Sequence, residues 1–293
     1  MKILVAIVHH WNPAGGGRHA SLRSKLEPRL YGLQDQLLSL RRMDSRQGVL
    51  NIANKSVDDA NQSLRHNFTI KVVTDGCHHV LGSMEKCYLE MVDEIATSPP
   101  NAMQLGFEAH QVLADHLDQD YDLYAYFEDD LIIHDPLFFH KIFWFQNIVG
   151  SHAVLMPHRY EAFWKPVDTV DRFYIDGPME DHELKALIPD PPLPLSTSLP
   201  GGQVTFASPK NPHSGCFVLS KSQMLHWSRQ SWFMDRDCSL ISPLESAATL
   251  GLTKTFKLFK PHFSYAAFLE LQHWGTSFRS LIGGDISPPE KAA

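Results

Sequence analysis

An apolar run that ends in three consecutive carboxylates constrains this chain more than any other feature. Residues 121–139 read YDLYAYFEDDLIIHDPLFF. Leu123 to Phe127 has the pattern of a buried strand and stops at Glu128-Asp129-Asp130. Leu131 to Ile133 resumes the apolar pattern, and Asp135-Pro136 offers an N-cap and a first helical residue for the segment that follows. Three acids at the mouth of a core strand repel one another and lose solvation, so they need a compensating cation. Oxygen ligands in such a place suit Mg²⁺ or Mn²⁺, and an ion of that kind can hold a diphosphate. A solvated acidic turn is the plainer alternative.

The remaining patterns supply a frame for this strand. Lys2 to Val8 is a near-continuous apolar run, as expected of a strand covered on both faces, and it ends at His9-His10. Pro13 and Gly15 to Gly17 mark a loop. Leu30, Leu33, Leu37 and Leu40 then recur at helical spacing within residues 22–40, with Arg18, Arg23, Lys25 and Arg29 around its start. Residues 44–66 read as polar and irregular. Phe68 to Val73 is a second strand ending at Asp75-Gly76, and Leu105, Ala109, Val112, Leu113 and Leu117 mark an amphipathic helix.

Beyond the acids, Phe138 to Phe145 reads as a buried helix and residues 153–156 as a strand. The proline-rich segment 186–212 reads as one long loop, of the kind that serves as a binding loop or lid. Strands at 214–219, 253–259 and 268–272 and helices at 220–232 and 242–251 complete the reading. The order predicts an α/β fold with a mostly parallel sheet. In such sheets ligands sit beyond the carboxyl ends of the strands, where His9-His10, Asp75 and the acidic triplet all fall.

Composition narrows the function classes. The 293 residues are 43% hydrophobic and 20% charged, ordinary for a soluble globular protein. A net charge of −7 argues against a nucleic-acid-binding surface. No apolar run approaches the roughly 20 residues of a membrane span. The start MKILVAIVHHW has the wrong length and flanks for a secretory signal and reads as a first core strand. Cys77, Cys87, Cys216 and Cys238 form no Cys-x-x-Cys pair, so reduced thiols in a cytoplasmic protein are expected.

FEDDLIIHDPLFF, residues 127–139, resembles the metal-binding signature of nucleotide-sugar-dependent glycosyltransferases of the GT-A fold. The Glu-Asp-Asp form, followed by an apolar residue and a Phe-rich helix, is similar to that of inverting N-acetylglucosaminyltransferases. SGCFVLS at 214–220, a Trp-bearing helix, an acid opening a further helix, and a last strand with a histidine follow in a matching order.

The resemblance implies a Rossmann-type, GT-A-like sheet in a single domain. Residues 1–150 would form the nucleotide-binding half and 151–285 the acceptor-binding and catalytic half, with a frayed tail at 286–293. It implies Asp130 as a direct ligand of Mn²⁺ or Mg²⁺, with Glu128 and Asp129 near the metal waters, ribose or sugar. It also implies a histidine ligand after the last core strand, His273 in FLELQHWG or His262 in KPHF, and a base or ribose contact at Asp75. His9 and the basic loop residues Arg18 and Arg23 are placed to meet the nucleotide and its phosphates. A departing nucleoside diphosphate gains negative charge, which a metal ion stabilises as a Lewis acid.

Inverting transfer also needs a base for the acceptor hydroxyl. Glu245 in SPLESAATLG is the candidate, but Ser242-x-x-Glu245 equally reads as a capping box. Asp235 and Asp237 are reserves that read more plainly as surface acids. Phe163, Trp164, Phe173 and Tyr174, with the 186–212 loop, are candidates for the acceptor side, though each alone reads as a core aromatic. The expected activity is hexosyl or N-acetylhexosaminyl transfer from a nucleotide-sugar donor, UDP-sugar favoured, to a saccharide, lipid or protein hydroxyl. A nucleotidyltransferase making an activated sugar, or a non-catalytic sugar-nucleotide or carbohydrate-binding protein, are the alternatives. A lipid acceptor would bring peripheral membrane contact, but no basic amphipathic helix argues for it.

Overall fold

The computed structural model describes residues 1–16, 20–44, 46–167, 170–199 and 202–278. The elements of the first half are β1 (Lys2–Val8), α1 (Glu27–Asp44), β2 (Gln47–Asn51), β3 (Ser56–Ala60), β4 (Asn67–Thr74), α2 (Lys86–Leu89), β5 (Asp93–Ala96), α3 (Leu105–Ala114), β6 (Leu123–Glu128), β7 (Leu131–Ile132) and α4 (Phe138–Val149). Those of the second half are β8 (Ala153–Leu155), β9 (His158–Val167), β10 (Val170–Tyr174), α5 (Asp181–Leu187), β11 (Leu195–Leu199), β12 (Gly202–Ala207), β13 (Cys216–Ser220), α6 (Lys221–Ser228), α7 (Pro243–Thr253), β14 (Lys257–Pro261) and β15 (Glu270–His273).

The central sheet has the order β13-β6-β1-β4-β5. Its pairs are parallel except β13 against β6. Alternation along β1 sends Ile3, Val5 and Ile7 to one apolar cluster, with Leu33 and Leu37 of α1 and Phe138 and Phe145 of α4. Leu4, Ala6 and Val8 point to the other, with residues of α3, α6 and α7. Both faces of the sheet are thus covered by helices, which is why its strands carry continuous apolar runs. Each fully buried Phe or Leu side chain contributes about 1.5–3 kcal/mol.

Two smaller sheets, β10-β9-β15-β7 and β11-β12-β14-β8, extend the core. The acidic triplet is the corner between the first of these and the central sheet. Glu128 ends β6 in register with Val8, Asp129 and Asp130 turn the chain, and β7 joins the second sheet.

Several segments differ from their sequence reading. Residues 44–66 contain the β2–β3 hairpin, with Gln47 opposite Ala60. Its apolar residues Val49, Leu50 and Val57 are exposed, so the strands pair without a core face to leave an alternation in the sequence. The 186–212 segment is not one loop: β11 and β12 form a hairpin within it, and Phe206 of β12 pairs with Pro261 of β14. Helix α1 begins only at Glu27, after a 3₁₀ turn at Ala20–Leu22. Asp135 accepts from the Leu137 N–H at 2.9 Å and so caps the turn ahead of α4 rather than α4 itself. Helix α7 runs past Gly251 to Thr253. The predicted tail at 286–293 lies outside the described residues. Among the described residues all four cysteines are free, and no helix is long and apolar enough to cross a membrane.

Candidate active site

The acids at the corner are held by residues from distant parts of the chain. Arg29 lies on α1 in phase with Leu33, Gln36, Leu37 and Leu40, on the buried face of that helix. From there its guanidinium donates to Asp129 and, at 3.2 Å, to Asp130 Oδ2. Gln36 donates to the Glu128 carbonyl at 2.7 Å. His9, just past β1, receives the Val80 N–H on Nε2 at 3.0 Å. Its proton therefore sits on Nδ1, which donates to Asp129 Oδ2. Asp129 is 1% exposed with both carboxylate oxygens engaged. Burial pushes its carboxyl up, but Arg29 and His9 outweigh this and hold it below the ordinary range. Asp129 and His9 thus hold each other inside the protein.

Glu128 faces a second buried group of charges. Arg159 of β9 donates to Glu128 Oε2 at 3.4 Å and to Asp176 Oδ1 at 2.7 Å. Lys260 of β14 donates to the His213 carbonyl at 2.6 Å and lies 3.5 Å from Asp176. His213 Nε2 is 3.7 Å from Glu128 Oε1. Gly215, at φ +63°, gives the Glu128 carboxylate its room: a Cβ there would lie 2.8 Å from Oε2. Burial pushes the Glu128 carboxyl up to about 7 against the pull of Arg159, and the charges of Asp130 and Glu245 add to the rise.

Asp130 and His273 come together at the open side. The β15–β7 pairing sets His273 against Leu131 and puts Nε2 3.6 Å from Asp130 Oδ2. His273 Nδ1 is 3.3 Å from Glu161 Oε1. Burial lowers the His273 pKa, but Asp130 and then Glu161 outweigh it and raise the value above normal. Asp130 Oδ1 is buried and makes no hydrogen bond among the described residues. The acids Glu128, Asp129, Asp130, Glu161 and Asp176 share this region with Arg29, Arg159 and Lys260, so negative charge is in excess. An unbonded carboxylate oxygen beside an imidazole, in an acid-rich corner, is a donor set that could hold a divalent cation.

The Glu245 carboxylate is close enough to Glu128 for its charge to help raise the Glu128 pKa. Ser242 Oγ accepts from the Glu245 N–H at 3.3 Å, which caps α7. The Glu245 carboxylate does not close the capping box, and its Oε2 is buried with no hydrogen bond among the described residues. Asp75 stands elsewhere, beyond β4: Oδ2 accepts from His78 Nδ1 at 2.8 Å and lies 3.5 Å from His10 Nδ1. His262 is exposed and caps the 3₁₀ segment Phe263–Phe268, accepting from the Ser264 N–H. Asp235 and Asp237 both pair with Lys254. Tyr174 joins Leu199, Gln203 and Val204 of the predicted loop, with Phe263 and Phe268, around a cavity of about 400 Å³. Arg18 and the side chains of Phe163 and Trp164 lie outside the described residues.

Arg29 and Gln36 had a sequence signal, being polar residues in the apolar phase of a helix, although Arg29 reads there as one of several loop-side bases. Arg159, Asp176, Lys260 and His213 had none, because their partners come from other strands.

No family model and no curated protein matches this chain. Among solved structures it is similar to S. aureus TarS 1-349, with 10% identity and a TM-score of 0.44, covering 93% of this chain and 60% of that one. It therefore spans about 60% of the length of the TarS chain. It is also similar to mannose-1-phosphate geranyltransferase from Thermus thermophilus, with 11% identity and a TM-score of 0.39, covering 89% of this chain and 73% of that one. Neither likeness assigns an activity.

Proposed function

We propose that this protein is a metal-dependent glycosyltransferase that moves a sugar from a nucleotide diphosphate sugar, UDP-sugar favoured, to an acceptor hydroxyl with inversion. The observation that carries the reading is the unbonded Asp130 Oδ1 beside His273 in an acid-rich corner. Asp130 and His273 would hold Mn²⁺ or Mg²⁺, which when bound supplies Lewis-acid stabilisation of the leaving diphosphate. Glu245 takes the acceptor hydroxyl proton as the new bond from that oxygen to the anomeric carbon forms. The bond from that carbon to the diphosphate breaks, and its electron pair leaves on the diphosphate oxygen. Glu128 and Asp129 support the site from within: Asp129 fixes Arg29 against Asp130, and Glu128 is the buried neighbour of the base. The cavity beside Tyr174 is the proposed acceptor side, since aromatic faces pack against sugars.

Calorimetric titration of UDP with Mn²⁺, with EDTA, and on Asp130→Ala tests this. Binding that needs both Mn²⁺ and Asp130 supports the reading. Absence of binding for UDP, GDP, CMP and nucleoside triphosphates alike would sink it.

A further inference from the structure

β1 and β4 run side by side with Val8 opposite Val73, so the residues just beyond both strands meet at one end of the sheet. There Asp75 Oδ2 lies 2.8 Å from His78 Nδ1 and 3.5 Å from His10 Nδ1. One ligand atom from each of the three residues falls within 4.8 Å of the others. His10 Nδ1 is itself buried and makes no hydrogen bond among the described residues. We propose that His10, Asp75 and His78 form a binding site for a divalent transition-metal ion of the Zn²⁺ type.

Donor chemistry and orientation support the assignment. Two imidazoles with only one carboxylate suit a first-row transition metal better than Mg²⁺ or Ca²⁺, whose ligands are mostly oxygen. Donors around a tetrahedral ion with bonds near 2.0–2.1 Å stand about 3.3 Å apart, and Asp75 Oδ2 lies 2.8 and 3.5 Å from the two imidazole nitrogens. Asp75 Oδ1 accepts the N–H groups of Cys77 at 3.0 Å and His78 at 2.7 Å. Those bonds aim the other oxygen, Oδ2, at the two rings, and Gly76 at φ +76° makes the turn that allows it. The three side chains are partly exposed, so an ion can enter from solvent.

Burial is the largest influence on the Asp75 carboxyl and raises it, but the bonds from His78 and Cys77 prevail and bring it to about 2. Burial is also the main cause that lowers the His10 pKa, against the pull of Asp75. Bound metal would tie the loop after β1 to the loop after β4. It gives Asp75 a task other than the base or ribose contact implied by the resemblance, and it does not depend on the transferase reading.

Calorimetric titration of Zn²⁺ into EDTA-stripped full-length protein tests the site, with Co²⁺ absorption spectra as a second probe. The expected result is one equivalent bound in the wild type. Binding should weaken about tenfold or more in His78→Ala and in His10→Ala, and remain intact in Asp130→Ala and Cys77→Ser. The visible Co²⁺ bands should vanish in the two histidine variants alone. Thermal melts confirm folding, and His78→Ala decides if His10→Ala is unstable, because His78 is the more exposed of the two. Lack of a bound equivalent in the wild type, unchanged binding in His78→Ala, or loss of the equivalent in Asp130→Ala would each overturn the proposal.

Discussion

His273 Nε2 lies 3.6 Å from Asp130 Oδ2 because β15 pairs antiparallel with β7 and sets His273 in register with Leu131. The Trp274 N–H donates to the Asp130 carbonyl at 2.8 Å and extends the same register. Two strands that are short and far apart in sequence therefore fix a carboxylate and an imidazole together at the mouth of the central sheet.

Asp129 and Asp130, though adjacent, should fail in different ways. Asp129→Ala leaves Arg29 buried without its main partner and should cost about 3–5 kcal/mol of stability. Asp130 is partly exposed, so Asp130→Ala should cost less stability and abolish Mn²⁺-dependent UDP binding. Urea denaturation and calorimetry on the two variants separate these effects.

Glu245 and Ser242 make a second contrasting pair. Glu245→Gln should lower kcat by about 10²–10⁴-fold while donor binding persists. Ser242→Ala removes the α7 cap and should cost about 1 kcal/mol, with a far smaller effect on turnover. Steady-state kinetics with a matched donor and acceptor would show the split. Equal, modest losses in both would leave Glu245 without a catalytic role.

Gly215 joins backbone and site. At φ +63°, Gly215→Ala should destabilise the protein by about 1–3 kcal/mol. The new methyl would also press on the Glu128 carboxylate, so activity should fall further than the melting temperature predicts.

Buried histidines set the acid limit of stability. His110 is packed among Phe107, Tyr126, Phe217 and Trp227, and burial lowers its pKa to about 3. Burial, aided by His140, does the same for His66. Both are neutral in the fold, whereas the unfolded chain protonates them below about 6.5. The unfolded state therefore binds more protons, and stability falls as pH drops from about 6.5 toward 3. Each histidine contributes at most about 1.4 kcal/mol per pH unit over that window. Urea midpoints from pH 7 to pH 4 should show the decline, and His110→Leu should flatten it.

By itself the sequence determined the elements whose signal is local. The apolar runs of β1 and β6 and the helical phase of α1 and α3 are written in periods of their own residues, and the acidic triplet marks where β6 ends. The two hairpins β2–β3 and β11–β12 were not legible, because one carries no buried face and the other lies in a proline-rich background. Tertiary structure alone decided which charges meet. Arg29 reaches Asp129 from a helix, Arg159 and Lys260 reach Asp176 from two different sheets, and His9 turns inward to Asp129. Such partners are chosen by strand order and register, and a buried charge carries no mark in its own neighbourhood of the residue that will neutralise it.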